Sequence, residues 1–449
     1  MDSRTAFRLT NNDSNYFFGF HDLVAWNNAG DKLAALKVDD IYSPPYPSQP
    51  CDVGFVKDTV FTKLGTTIAY NYPQGARQQW IGKTNLLIVN DQVGDKWGSK
   101  IYDTDQLIQT ATLNFPTHVI TDDGWAFGID YARLHRVGGY GYTGLKDKSS
   151  KNNAPADNGI FKHNVYTKEN TLLVSIETVA NFQANVNAGK HHYITHLLLN
   201  PAQNRVAFLH RCKLSDGGET TRLMTIGIEG NDLRVLASGF LSHFDWKDDT
   251  HLVIWGRTGT GIEALRNSLL FRMMPTGVMS LAKKVVKSLL NKNRGAGQAG
   301  PKDPSFNWLI FSDEDKPHQS FLAKEVITED GHPMFCPTNR DWMICDTYPN
   351  ENDLRTLFLF QYSKQKRIDL GTYKMIKDKP DIKEVGHTLE DVDNTVLKSF
   401  SVENMAFFRS GLHCDLHPRW NRDGTLVGFD SIHEGIRQIY AFDVKQYIK

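Results

Sequence analysis

Apolar and polar positions along the chain fall into short alternating blocks more than into long helical stripes. One arrangement recurs: a short apolar strand, a polar turn rich in Asn, Asp, Gly or Pro, and a second apolar strand. The copies are LVAWNNAGDKLAAL from Leu23, RQQWIGKTNLLIV from Arg77, HVITDDGWAFGID from His118, HLLLNPAQNRVAFLH from His196, HFDWKDDTHLVIW from His243, HPMFCPTNRDWMIC from His332 and HPRWNRDGTLVGF from His417. Spread over 449 residues, they make a unit of about 64 residues. Such a repeat predicts an all-β chain, a seven-bladed β-propeller over residues 1–449 with a short helical insertion. Each blade would be a four-stranded sheet beside a central channel. The alternative is a series of unrelated hairpins in a two-domain β protein. Long gaps before the fourth, sixth and seventh copies must hold outer strands and insertions.

Three stretches break the pattern. Residues 146–159 (KDKSSKNNAPADNG) are polar and loop-like, and residues 375–396 are charged and suggest a surface excursion. Between 262 and 304 the β pattern stops, and 264–270 and 278–291 read as helices separated by Pro275 and Gly277. From 264 to 294 there are basic residues and no acids, and Val278, Leu281, Val285 and Leu289 can share one face. This segment suits a peripheral contact with an anionic membrane or an acidic partner. It equally suits a cap packed on the propeller with its lysines in water.

Composition narrows the function classes. Lys+Arg and Asp+Glu are both 51, which argues against a generally basic nucleic-acid binder. Aromatic residues at 11% and 35 Gly fit β structure with many turns. Five Cys without a CxxC suggest reduced thiols, and the start MDSRTAFRLTNNDSNYFF has no apolar core of a signal peptide, so a cytoplasmic location is expected. No apolar run is long enough to span a membrane.

The chemistry gathers in one column. Aligned on their first residue, the seven hairpins read Leu23, Arg77, His118, His196, His243, His332 and His417. A chain with 16 His in 449 residues would place about a quarter of one imidazole there by chance. In a propeller the first strand of each blade lines the channel, so the column becomes a ring at one mouth. The second strand returns to that mouth, bringing Asn90, Asp91, residues 131–135, His210, Arg211, Arg257, residues 346–348 and residues 431–433. A single histidine on a strand is more often a hydrogen-bonded core residue than a ligand; a ring of them is not. Cys414 and His417 lie three apart in LHCDLHPRW, beside His413, and His332 and His243 begin the two preceding inner strands. Thiolate and imidazole together suit Zn²⁺, with Mn²⁺ or Ca²⁺ as alternatives. Cys336 reads as core. No GxSxG is present, and GRTGTG from Gly256 lacks the lysine and hydroxyl of a P-loop. Asp245, Asp346, Asp415 and Asp430 could all reach the channel, so a propeller hydrolase stays open.

The propeller layout, the histidines that begin successive inner strands and the final CDLHPRW resemble the seven-bladed polysaccharide lyases of the oligogalacturonate lyase and ulvan lyase type, and GYGYTG, SHFDW, CDLHPRW and DSIHEGIRQIY resemble a broad group of bacterial propeller proteins related to them. The resemblance runs from about residue 16 to 444, outside the helical insertion. It implies a metal held by His from adjacent blades and a Gln-x-x-His-x-His run. Cys414 stands at the Gln, His417 at the first His, Arg419 in place of the second, and His332 at the His of the preceding blade. His243 would then be the missing ligand or the base. The implied reaction is β-elimination on a uronate-containing acidic oligosaccharide. It needs a base at C5, a cation or metal on the carboxylate and an acid at the leaving oxygen. His196 and His210, with His192 beside them, are the expected acid–base residues; Arg211 or Arg257 would meet the carboxylate, and Tyr348 or Tyr140 could supply the acid. The competing function is a non-catalytic glycan- or protein-binding propeller.

Overall fold

The computed structural model describes residues 5–183, 190–214, 218–259, 305–383, 385–397 and 401–448. The basic helical segment expected at 262–304 lies outside the described residues. Within them the chain is built from antiparallel sheets. Four sheets follow the chain in order: Asn15–Phe17 to Val60–Thr67, Gln79–Trp80 to Ile108–Leu113, Val119–Ile120 to Asn170–Ser175, and Met334–Phe335 to Lys366–Lys374, each with four strands. A fifth joins the two ends of the chain: Arg419–Trp420, Leu426–Ser431 and Gln438–Asp443 take Phe7–Arg8 as their fourth strand. The remaining sheet has seven strands, Lys190–Leu199 through Gln319–Phe321. Its middle strand, Arg234–Trp246, pairs with Glu219–Gly227 through its first half and with His251–Thr258 through its second. We read this sheet as two four-stranded units sharing one long strand, which gives each hairpin of the sequence its own unit.

The repeat is visible in the bonds between neighbouring sheets. Trp80, Trp246 and Trp420 each stand three residues after a column position. Their indole N–H groups donate to the carbonyls of Ala25, Leu198 and Met334, each two residues after the preceding column position, at 2.8, 3.1 and 2.9 Å. Asn27, Asn200 and Asn421 each stand four residues after a column position. Each side-chain oxygen accepts two backbone N–H groups across its own turn. At the end of the second strand, Asn90, Asp346 and Asp430 accept backbone N–H groups of the next unit, from Thr117, from Leu416 and His417, and from Phe18 and Gly19. The tryptophan and asparagine bonds recur at identical offsets, and the inner-end bonds at similar ones, as a repeat of like units requires.

The structure adds short helices that the sequence reading does not place. Residues 131–135 do not run on as strand: Asp130 caps a short helix, Tyr131–Arg136, by accepting from the N–H groups of Ala132 and Arg133. The 375–396 excursion contains helices Val385–Leu389 and Asn394–Leu397, followed by Val402–Arg409. No helix among the described residues is long and apolar enough to cross a membrane.

Candidate metal and acid–base site

Backbone irregularities aim the column residues inward. Pairing between the Lys190–Leu199 and Arg205–Lys213 strands is interrupted between Thr195 and Leu198, and His196 takes φ +57° in that bulge. A second bulge between Leu241 and Phe244 carries His243. His417 has φ +43°. Left-handed backbone at a bulky residue is uncommon and turns a side chain that a regular strand would hold in its sheet. The first sheet contributes differently. Its inner strand stops at Phe17 and pairs again only at Trp26, and the detour between them delivers Phe20 and His21. Gly19 permits it: φ is +122°, and a Cβ there would lie 2.6 Å from the Gln74 carbonyl carbon.

The result is a convergence of rings, with the imidazoles and Phe20 buried and Tyr140 and Tyr348 exposed at the edge. His332 lies 4.2 Å from His243 and 4.3 Å from His417 between ring centroids. Phe20 sits 4.9 Å from His417 and 5.2 Å from His196, and His21 is 5.4 Å from His332. Tyr348 is 5.6 Å from His332 and 5.9 Å from His243; Tyr140 is 5.7 Å from His196. Ligand atoms of His332, Asp415 and His417 all lie within 4.8 Å of one another.

Each member is held by a partner behind it. Asp346 accepts both the backbone N–H and the Nδ1–H of His332 at 2.8 Å, which leaves Nε2 of that ring for the centre. Asp346 also accepts the N–H of His417, so one carboxylate fixes ligands from two units. Gly331 makes room, since a Cβ there would lie 1.9 Å from the Asp346 carbonyl oxygen. Arg355 pairs with Asp415 at 2.6 Å. His243 Nδ1 lies 3.0 Å from Asp330.

Charge follows these contacts. Burial works against the Asp415 carboxylate, but Arg355 and the neighbouring imidazoles outweigh it and hold the group well below the usual range. Burial also works against the charged form of His332, yet Asp346 wins and its value is raised. His417 and His196 are pushed well below the usual histidine range, by burial first and then by His332 and by Arg211 respectively. The site is therefore an anionic carboxylate beside His332, whose charged form Asp346 favours, and beside His417 and His196, whose neutral rings carry lone pairs for a metal or a proton.

The expected residues separate into two groups. His196, His243, His332 and His417 come together, with Tyr348 and Tyr140 at the edge. Arg211 is near enough to His196 and Tyr140 to shift both, and it pairs with Glu219 at 3.4 Å. His192 and His210 lie elsewhere. Their rings stack at 5.2 Å and share a hydrogen bond of 3.1 Å; Arg222 Nε donates to His210 Nδ1, and Cys212 Sγ lies 3.4 Å from His192 Nε2. In register His210 faces Ile194, not His196. Arg257 is sandwiched between Phe240 and Phe306, 4.7 and 4.8 Å from their rings, and donates to Ser305. Cys414 points into the apolar interior, where burial pushes its thiol up to about 11. Asp415 takes the place expected for that sulfur. With oxygen and nitrogen donors only, the thiolate argument for Zn²⁺ no longer applies. The sequence places Asp415 among the carboxylates that could reach the channel, without giving it a ligand role. Asp346 is named with it, and Phe20 carries no such signal.

Together the sheets define a β-propeller. Among solved structures the chain is similar to an oligogalacturonate lyase in complex with manganese, at 12% identity and TM-score 0.56, over 98% of this chain and 92% of that one. It is also similar to the oligogalacturonate lyase of Vibrio parahaemolyticus, at 12% identity and TM-score 0.55, over 99% of this chain and 97% of that one. At this identity the likeness establishes the fold. No protein-family profile and no curated protein sequence matches the chain.

Proposed function

We propose that this protein is a metal-dependent polysaccharide lyase that cleaves a uronate-containing oligosaccharide by β-elimination at the histidine ring. The observation that carries the reading is the buried His332–Asp415–His417 set with neutral imidazoles beside it, on a fold shared end to end with two oligogalacturonate lyases. The donor set fits a divalent cation. Two imidazoles and an anionic carboxylate converge, Asp346 and Arg355 orient them, and His417 Nδ1 is buried with no hydrogen-bond partner. Manganese, present in one of the similar structures, is the leading candidate. When bound, the ion would stabilise negative charge developing on the uronate carboxylate.

The chain's own groups supply the rest. His243, anchored through Nδ1 by Asp330, offers Nε2 as the base for the C5 proton. His196 is neutral and, 5.2 Å from Phe20 between ring centroids, is the second candidate. Burial, with the Asp415 charge, pushes Tyr140 up to about 12 and Tyr348 well above its usual value. Both phenols thus stay protonated and can donate to the leaving oxygen. Arg211 is placed to meet a carboxylate at the His196 side.

One observation favours non-catalytic binding instead: the Phe20 ring stands among five imidazoles, within 6.5 Å of each. A single assay decides. Incubation with a panel of uronate oligosaccharides and Mn²⁺ should produce the ultraviolet absorbance of an unsaturated uronate, lost in His243→Ala and in His332→Ala. Tight binding across the panel with no product would establish the binder.

A further inference from the structure

The polar segment 146–159, which interrupts the β pattern of the sequence, walls a cavity of about 780 Å³ that the histidine ring does not use. Its volume falls within the range of small-molecule sites. Buried charge holds the segment from beneath. Asp147 accepts from Arg136 Nε at 2.6 Å, and Arg133 donates to the Ser149 hydroxyl and to the carbonyls of Asn152 and Asn153. Asn158 donates to Asp130 at 2.7 Å. The strand Lys96–Asp103 supplies Lys96 and Trp97. Phe115 and Phe161, 5.8 Å apart between ring centroids, add an apolar surface. The cavity adjoins the channel mouth: Tyr131 lines it, and the Tyr131 hydroxyl lies 2.8 Å from Nδ1 of the column residue His118.

Two observations point to a ligand. Trp97 is 5% exposed and lines the cavity, yet its buried Nε1–H finds no acceptor among the described residues. A buried donor left unpaired costs free energy that an entering oxyanion would recover. The second observation is charge. Lys96, Lys146, Lys148 and Lys151 line the cavity against Asp95, Asp130 and Asp157. Lys148 takes Asp95 at 2.7 Å, while Asp130 accepts the N–H groups of Ala132 and Arg133 and the Asn158 amide. Lys146 lies 3.7 Å from Asp391. Lys96 and Lys151 form no ion pair among the described residues, so cation outweighs the Asp157 carboxylate. The amines are spread along the loop and the strand instead of gathered at one point. That spacing suits a chain carrying repeated oxyanions more than a single phosphate, and the two phenyl rings suit the C–H faces of pyranoses.

We infer that this cavity is a second, non-catalytic site for an acidic oligosaccharide. Lys96, Lys151 and the Trp97 N–H hold its oxyanions, carboxylate or sulfate ester, and Phe115 and Phe161 meet its sugar faces. The inference goes beyond the lyase reading and needs no chemistry at the ring. An acidic polymer held there is kept at high local concentration beside the channel mouth.

Calorimetric titration of the full-length His332→Ala protein without Mn²⁺ tests it, so that no turnover accompanies binding. The probes are a free homo-oligouronate, its methyl ester, and a sulfated oligosaccharide of neutral sugars. Lys96 and Lys151 are exposed, so reversing their charge spares the fold. At least one anionic probe should bind about tenfold or more tighter than the ester, and the tighter of the two separates carboxylate from sulfate ester. Lys96→Glu combined with Lys151→Glu should raise its Kd about tenfold or more. Trp97→Phe, which keeps an aromatic ring and loses the N–H, should raise it about fivefold. In the wild-type ring with Mn²⁺, the same charge reversal should raise KM on a long acidic polymer and leave kcat unchanged. Anionic binding that the reversal does not move, ester binding as tight as that of the free acid, or no binding at all would overturn the second site and leave the lyase reading standing. Lysine-dependent binding by a wild-type protein that yields no product would keep the second site and remove the lyase reading.

Discussion

Cys414 and Asp415 are neighbours with opposite surroundings. The thiol is packed among apolar side chains, while the carboxylate is held by Arg355 and faces His413, His417 and His332. Asp415→Asn keeps the shape and removes the charge. It should lower Mn²⁺ affinity about 100-fold or more, because even partners behind a ligand contribute 10- to 100-fold. Cys414→Ala should leave that affinity within about twofold and cost about 1 kcal/mol of stability from the small void it opens. Calorimetric metal titration together with urea unfolding of both variants checks the pair. The histidines were legible in the sequence because each begins a recognisable hairpin. Asp415 was legible only as one of four carboxylates within reach of the channel, and the ligand role went to Cys414 because a spacing of three before His417 looks like a ligand pair, which it is only on a helix. On extended chain, residues three apart face opposite sides.

Elements repeat their bonds as well as their hydrophobic pattern, and this made the fold readable from the hairpins alone. Trp80→Phe keeps the ring and loses the N–H donated to Ala25, so it should destabilise by about 1 kcal/mol; Trp246→Phe and Trp420→Phe should match it, since their bonds to the preceding unit are equivalent. What the pattern hid were the short helices. Tyr131–Arg136 has six residues and Asn394–Leu397 four, too few for a helical period to show. The first carries His135, which burial, followed by the Arg409 charge, lowers to about 3. The folded state thus prefers the neutral ring. That preference contributes stability above the unfolded value of 6.5, and the contribution is lost as pH falls from 6.5 toward 3, by at most about 1.4 kcal/mol per pH unit. Unfolding free energies of wild type and His135→Gln should therefore converge on acidification from pH 7.5 to 5. Parallel pH dependences would show that His135 charges freely in the fold.

At the scale of the molecule, the site depends on closure. His332 belongs to one sheet and Asp415 and His417 enter the next, whose outer strand is Phe7–Arg8 from the other end of the chain. The backbone bond from Leu9 to Ile439 and the side-chain bond from Thr10 to Gln438 tighten that seam. On its inner side Asp430 accepts the N–H groups of Phe18 and Gly19, and Arg419 donates to the Gly19 carbonyl. The loop that brings Phe20 and His21 among the imidazoles is thus fastened to the same sheet that the amino-terminal strand completes. A chain beginning at residue 10 would leave Gln438–Asp443 as an open edge. It should unfold several degrees lower, about 5 °C or more, and bind Mn²⁺ more weakly than the full chain. A ligand that binds only the closed form stabilises it by mass action, so saturating Mn²⁺ should recover part of the lost Tm in the shortened chain and none in its His332→Ala derivative. Equal metal affinity in the full and shortened chains would mean that ring closure and site assembly are independent.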